Sequence, residues 1–395
     1  MSRIDRGFEA LGRVPSPELW EGIRQREPRP VPAGPSPGRR LGTVVVAFAL
    51  AVAGVGFGIR AFRTDTAESS HPAEPTQSLT VDDGEPIPVG DYANAVAVGE
   101  GGVWLAVHSL EGETSEVVRL DPNTGDIMAR MAVSSLPGWE VGGGGMIVAD
   151  GSLWVAGSLG HDEVGLSRID PSTNEVVETI QLGRGSAADV WVDVSGIWVL
   201  AFIGGGDTEV IRLDPSTHEV VARIPLPASW AHQVVASNGS IWVHGTAPGV
   251  RGDVYPNTIY QIDPATNELV DSSELPAPDF PLAADARSIW QRTRRGVARV
   301  DPAGLGIEAE LETLTGGCCD FIVSDGIGGV WMLGRVGEGR VSLWHITAEG
   351  IVDREGSIEM PANNYGIAAA LDAETMTFWI VQYRDSVMPL VVRPA

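Results

Sequence analysis

From residue 78 onward, short apolar runs alternate with clusters of Gly, Asn, Asp, Ser and Pro. Within many runs, apolar and polar positions alternate with a period of two, as expected of strands that bury one face. One unit reads Ala188-Asp-Val-Trp-Val-Asp-Val-Ser-Gly-Ile-Trp198, then Glu209-Val-Ile-Arg-Leu-Asp-Pro-Ser-Thr-His-Glu-Val-Val-Ala-Arg-Ile-Pro225. Ser-Gly and Asp-Pro signals divide it into four strands joined by tight turns. A hydrophobic-Trp pair after a Gly-rich turn recurs at Trp104, Trp154, Trp198, Trp242, Trp290, Trp331 and Trp379, with gaps of 50, 44, 44, 48, 41 and 48 residues. A period of this size, with four short strands per unit, predicts the blades of a β-propeller, each needing its neighbours to bury its faces.

The Asp-Pro pairs begin at Asp121, Asp170, Asp214, Asp263 and Asp301. Aspartate accepts backbone N–H bonds at the first turn position and proline presets φ at the second, so each pair predicts the hairpin between third and fourth strands. Their recurrence from blade to blade assigns these carboxylates to turns rather than to calcium binding or catalysis. The seventh unit ends one strand short: after Trp379 only Met388 to Arg393 follows. Ser78 to Val89 is expected to supply the missing strand and close the ring, protecting an otherwise open blade edge.

The 78–395 segment is therefore expected to be a seven-bladed β-propeller. Three pieces precede it: 1–40, a cytoplasmic tail; 41–59, a transmembrane helix; and 60–77, a polar stalk. Leu41 to Ile59 carries no charge, and as a helix it would span roughly 28 Å, close to a bilayer core. Arg24, Arg26, Arg29, Arg39 and Arg40 precede it, against Arg60 and Arg63 after it. This asymmetry predicts a cytoplasmic N-terminus and an extracytoplasmic propeller in a single-pass cell-membrane protein. A cleaved leader is the rival reading, from Arg39-Arg40 and the small residues at 51–54. Ser16 to Arg26, with a capping residue, Pro17, and Leu19, Trp20 and Ile23 on one side, predicts a short amphipathic helix that lies on the membrane or meets a cytoplasmic partner.

All 27 basic residues are Arg, and the formal net charge is −25. An acidic exterior of that size excludes nucleic acid as the main partner. Hydrophobic residues make up 43 % of the chain, enough for a core, and 49 Gly and 27 Pro suit a turn-rich β protein.

Candidate chemistry gathers in the loops that enter each first strand, around one mouth of the expected channel. These loops carry Tyr92, Trp139, Asp189, Trp230 with His232, Phe280, Cys318-Cys319-Asp320 and Tyr365. Aromatic rings beside polar groups are what a concave site for a small molecule, sugar or peptide requires. Rings that only plug the channel are the alternative. Cys318 and Cys319, the only cysteines, leave two states open: a strained vicinal disulfide, or two half-buried thiols. His108, His161, His232 and His244 show no metal-ligand spacing, and neither a metal nor a cofactor is expected. Arg287, Arg292, Arg294, Arg295 and Arg299 form a basic cluster that reads either as an anion site or as a solvated blade edge.

With its Arg-(Ile/Leu)-Asp-Pro-x-Thr hairpins, the repeat resembles streptogramin lyase (virginiamycin B lyase-like) and related seven-bladed propellers. For the lyase, that resemblance implies a magnesium-dependent elimination using His and Glu from adjacent blades. Family blades place Glu three residues beyond the Trp. Here those positions hold Val107, Gly157, Ala201, Gly245, Thr293, Gly334 and Gln382, so no catalytic residue carries over. The sequence thus points to a membrane-anchored extracytoplasmic binding or sensing propeller. A lyase-like or hydrolytic enzyme and a pure interaction scaffold are the alternatives.

Overall fold

The structure, a computed structural model, describes residues 76–395 apart from 91, 109–114, 137–144, 160–161, 204–206, 248–256, 276–281, 294–295, 303–304, 313–320, 336–339, 360–365 and 383–384. Blade 1 is a four-stranded antiparallel sheet of Tyr92–Gly99, Gly102–His108, Ser115–Leu120 and Ile127–Val133 in that order. The same order recurs in blades 2 to 7. Their second strands are Ser152–Leu159, Gly196–Ile203, Ser240–Thr246, Ile289–Arg292, Val330–Arg335 and Thr377–Gln382. Blades 2 and 3 share the continuous strand Glu175–Asp193, whose first part is the outer strand of blade 2 and whose second part is the inner strand of blade 3.

The repeated tryptophans build the ring. Each sits on a second strand and packs across onto the next blade: Trp104 with Leu153 and Val155, Trp154 with Ile197 and Val199, Trp198 with Ile241 and Val243. Trp242 packs with Ile289, Trp290 with Val330 and Met332, and Trp331 with Phe378 and Ile380. Trp379 of blade 7 packs with Val103 and Leu105 of blade 1, which returns the series to its start. The hydrophobic core is thus seven apolar layers between blades. No blade could bury its faces alone, and that need drives closure.

The outer hairpins form as their sequence dictates. Asp214 Oδ1 accepts the N–H groups of Ser216 at 2.8 Å and Thr217 at 2.9 Å, and Asp170 and Asp263 accept equivalent N–H bonds from Ser172 and Ala265 at 2.8 Å. The fifth residue of each hairpin turns left-handed, with φ of 75° at Gly125, 58° at Asn174, 59° at His218 and 60° at Asn267. Its N–H returns to the Asp carbonyl at 2.8–2.9 Å. Asn and Gly are the residues that adopt this conformation at least cost.

The Arg two residues before the Asp has a separate task. Arg119 lies 4.6 Å from the Trp104 ring centroid and donates to the Pro171 carbonyl and to Asn174 Oδ1, 2.8 Å away, both in the hairpin of blade 2. Arg212 repeats this over Trp198 at 4.9 Å, donating to the Pro264 carbonyl and Asn267 Oδ1 at 2.6 Å. Arg299 donates to the Ala348 carbonyl of blade 6 and to Glu308. In blades 1 and 3 the guanidinium stacks on its own blade's Trp while it latches the next blade's hairpin, and Arg299 of blade 5 makes the same kind of latch.

The segment before blade 1 completes blade 7. Gln77–Asp83 pairs antiparallel with Ser386–Pro394, from Leu79 opposite Pro394 to Asp83 opposite Leu390, and Ile87–Pro88 adds two further pairs. The start of Gln77–Asp83 also runs parallel to Val352–Glu359 of blade 6, with Gln77 opposite Arg354. A Cβ at Gly356 would stand 2.8 Å from Val81 Cγ2 and 3.0 Å from the Leu79 backbone oxygen, so glycine is what admits this strand.

The expected fold class needs correction in its helical parts. The described residues are all-β, with strands and turns and no helix. Among them no helix is long and apolar enough to cross a membrane. The transmembrane helix expected at 41–59 and the amphipathic helix expected at 16–26 fall outside the described residues, so the fold is stated as all-β without them.

Candidate functional site

In each blade the first strand enters, and the second leaves, on the same face of the ring, because the two run antiparallel. Tyr92 stands opposite His108, and Trp230 opposite Thr246. Near this mouth the pairing slips by one residue in blades 1, 3, 4 and 7, between Ala93 and Ala95, Ala187 and Asp189, Ala231 and Gln233, and Gly366 and Ala368. The extra residue is Asn94, Ala188, His232 or Ile367. A bulge of this kind interrupts the inside-outside alternation and re-aims the side chains beside it.

Blades 3 and 4 show what the bulges achieve. Trp230 is 38 % exposed and stacks on the half-buried Phe202 of blade 3, with ring centroids 4.6 Å apart and an interplanar angle of 25°. His232 follows at 6.1 Å from Trp230, and His244 at 6.0 Å from His232. Burial pushes the His232 imidazole down to about 4 and that of His244 to about 3, so both are neutral near pH 7. In blade 1, Tyr92 and His108 lie 6.5 Å apart with tilted rings.

Asp189 points into the protein. It is buried, its Oδ1 accepts the Gly145 N–H of blade 2 at 2.7 Å, and its Oδ2 accepts the Val234 N–H of blade 4 at 2.9 Å. Loss of solvation raises its pKa to about 6, against the opposing pull of those N–H bonds. Gln233, the matching residue of blade 4, bonds both the carbonyl and the N–H of Leu282 in blade 5, at 2.9 and 2.7 Å. The position after the bulge therefore stitches inner strands together around the channel.

The structure brings Trp230 and His232 together and separates Asp189 from them as an inter-blade bond. Tyr92 stands on blade 1 beside His108. Trp139, Phe280, Cys318, Cys319, Asp320 and Tyr365 lie outside the described residues. Sequence reasoning overlooked Phe202 as the ring beneath Trp230, and Gln233 and Gln291 as polar groups in blade seams. Blade-by-blade alignment of the second strands would have exposed Gln291, since the residue after Trp is apolar in the other blades. Of the basic cluster, Arg299 is occupied as a latch. Among the described residues no group of three or more His, Cys, Asp or Glu side chains is placed to hold a metal ion.

No family model matches this chain, and no curated protein matches it. Among solved structures it is similar to one described as "Structure of U3-55K", a WD40 propeller, with a TM-score of 0.54 and 10 % identity over 79 % of this chain and 98 % of that one. At that identity the likeness establishes the fold alone.

Proposed function

We propose that this protein is a binding propeller that holds its ligand at the channel mouth, against the stacked rings of Trp230 and Phe202. The observation that carries this reading is Trp230 itself. A large aromatic left 38 % exposed on a rigid strand, with a second ring beneath it, is the arrangement of an anchor awaiting a partner. The mouth loops differ from blade to blade, as recognition of one asymmetric ligand requires, whereas the outer hairpins repeat.

The test is Trp230→Ala. Ligand affinity should fall by about 1–3 kcal/mol, with the melting temperature nearly unchanged. A variant that unfolds the protein, or leaves the affinity of every bound ligand intact, refutes the proposal and leaves the scaffold reading.

A further inference from the structure

Blades 1 to 6 share a bulge at one position of the outer strand. Where the fourth strand pairs with the third beside the hairpin, one residue is skipped between Ile127 and Ala129, Val176 and Glu178, Val220 and Ala222, and Leu269 and Asp271. The skipped residues are Met128, Val177, Val221 and Val270, and blades 5 and 6 skip Glu308 and Asp353 in the same way. A bulge takes its residue out of the regular alternation and re-aims the side chain.

The two polar bulge residues serve the fold. Glu308 pairs with Arg299, and Asp353 Oδ1 lies 2.6 Å from His345 Nδ1. The four apolar ones stand in solvent: Met128, Val221 and Val270 are 52 % exposed and Val177 47 %. Ile127 and Val220, which precede two of the bulges, are exposed too. Because Glu308 and Asp353 form the same bulge, its geometry does not call for an apolar side chain. The four residues also belong to one wall. Ala129 of blade 1 and Val176 of blade 2, each next to a bulge residue, pack on one apolar layer, and Ala222 of blade 3 and Leu269 of blade 4 share another. Between them Glu178, beside Val177, meets His218 of the blade 3 hairpin, Oε2 to Nδ1 2.6 Å. Blades 6 and 7 differ, because Gln77–Asp83 lies along their outer strands.

Charge on this wall selects the partner. An exposed carboxylate precedes each apolar bulge residue by two positions, at Asp126, Glu175, Glu219 and Glu268. The arginines of the same strands, Arg130, Arg184 and Arg223, are already paired with Glu116, Asp162 and Glu209. What faces outward is apolar surface edged with negative charge, on a chain of net charge −25. A second copy of the chain, an anionic lipid surface or a nucleic acid meets repulsion there. Apolar groups rimmed by polar ones mark interaction sites, and complementary charge fixes which partner docks. We infer that the outer wall of blades 1 to 4 is a docking surface for a polypeptide whose contact face combines apolar side chains with Lys or Arg. The apolar side chains meet the bulge residues, and the cations meet the carboxylates beside them. This surface is separate from the mouth, and neither reading depends on the other.

The experiment is fluorescence anisotropy of a labelled Leu/Lys amphipathic peptide titrated with the full chain, beside a Leu/Glu peptide of the same pattern. The Leu/Lys peptide should bind and the Leu/Glu peptide should not. Joint Val177→Thr, Val221→Thr and Val270→Thr keeps charge and β-branching, so the melting temperature should stay close to wild type. It should weaken the Leu/Lys peptide about tenfold, as expected when three partly buried methyl groups are lost. Joint Glu175→Gln, Glu219→Gln and Glu268→Gln should weaken it too and flatten its salt dependence. The same charge change on blades 5 and 6, Glu310→Gln, Glu349→Gln and Glu355→Gln, should leave binding as in wild type. If the threonine set binds as wild type, or the blade 5 and 6 set weakens binding as much as the blade 2 to 4 set, only the overall charge of the chain attracts the peptide and the inference is overturned. Absence of any Leu/Lys binding overturns it as well. If Trp230→Ala loses the peptide while the threonine set keeps it, the peptide sits at the mouth: the wall inference falls and the mouth reading stands. A dimer of the full chain in sedimentation that the threonine set disperses would show a second copy on the wall and overturn the basic partner. Should the threonine set unfold the protein, the bulge residues hold the fold, and the glutamine set alone then decides by the same criteria.

Discussion

Asp189 should make stability depend on pH in a direction opposite to that of most carboxylates. Its folded pKa is raised to about 6 by burial, against an ordinary value of 3.8. The native state therefore binds the proton more tightly than the unfolded chain does. This stabilisation is complete below the unfolded value and is lost as pH rises through the folded one. Linkage over those two values gives a gain of about 2 kcal/mol on going from pH 7 to pH 4.5. Asp189→Asn isolates the effect because it is nearly isosteric and does not titrate. It also replaces one oxygen by an NH2 facing the Gly145 or Val234 N–H, which costs about 1–3 kcal/mol at every pH. Urea unfolding of both proteins at several pH values between 4.5 and 7 measures the difference. Wild type minus variant should rise by about 2 kcal/mol as pH falls across that range. A difference flat with pH would refute the raised pKa, and one that shrinks as pH falls would mean that the carboxylate is stabilised as the anion by its N–H donors.

Two further outcomes test the ring itself. Trp198→Ala removes a fully buried side chain from the layer between blades 3 and 4 and should cost about 3–5 kcal/mol in denaturant unfolding. A loss below about 1 kcal/mol would show that this layer does not hold the blades together. Gly356→Val should push Leu79 and Val81 off blade 6, seen as faster proteolysis within 77–83 under native conditions, and cleavage at the wild-type rate would refute that contact.

What could be read along the chain was whatever depends on neighbours in sequence. The Asp-Pro hairpins are local hydrogen-bond chemistry, so Asp121, Asp170, Asp214 and Asp263 announce their turns without reference to the rest of the molecule. The Trp spacing announces the blades because one unit cannot bury its own faces. Counting strands even assigned Ser78–Val89 to blade 7, since a missing edge must be covered. The tertiary structure decided everything that passes between blades, where bonded partners such as Asp189 with Gly145 and Arg119 with Asn174 stand 44 and 55 positions apart and no local pattern records them. The Arg before four of the five Asp-Pro pairs reads as half of a turn motif, yet Arg119 and Arg212 serve the next blade's hairpin. Asp189 reads as a mouth residue from its place in the loop. A one-residue bulge at Ala188 resets the alternation around it, and the carboxylate ends buried between three blades. The same slip at His232 leaves its ring between Trp230 and His244. A bulge changes which face a side chain meets without changing composition or period, and for that reason the blades were legible in the sequence while the chemistry of their seams was not.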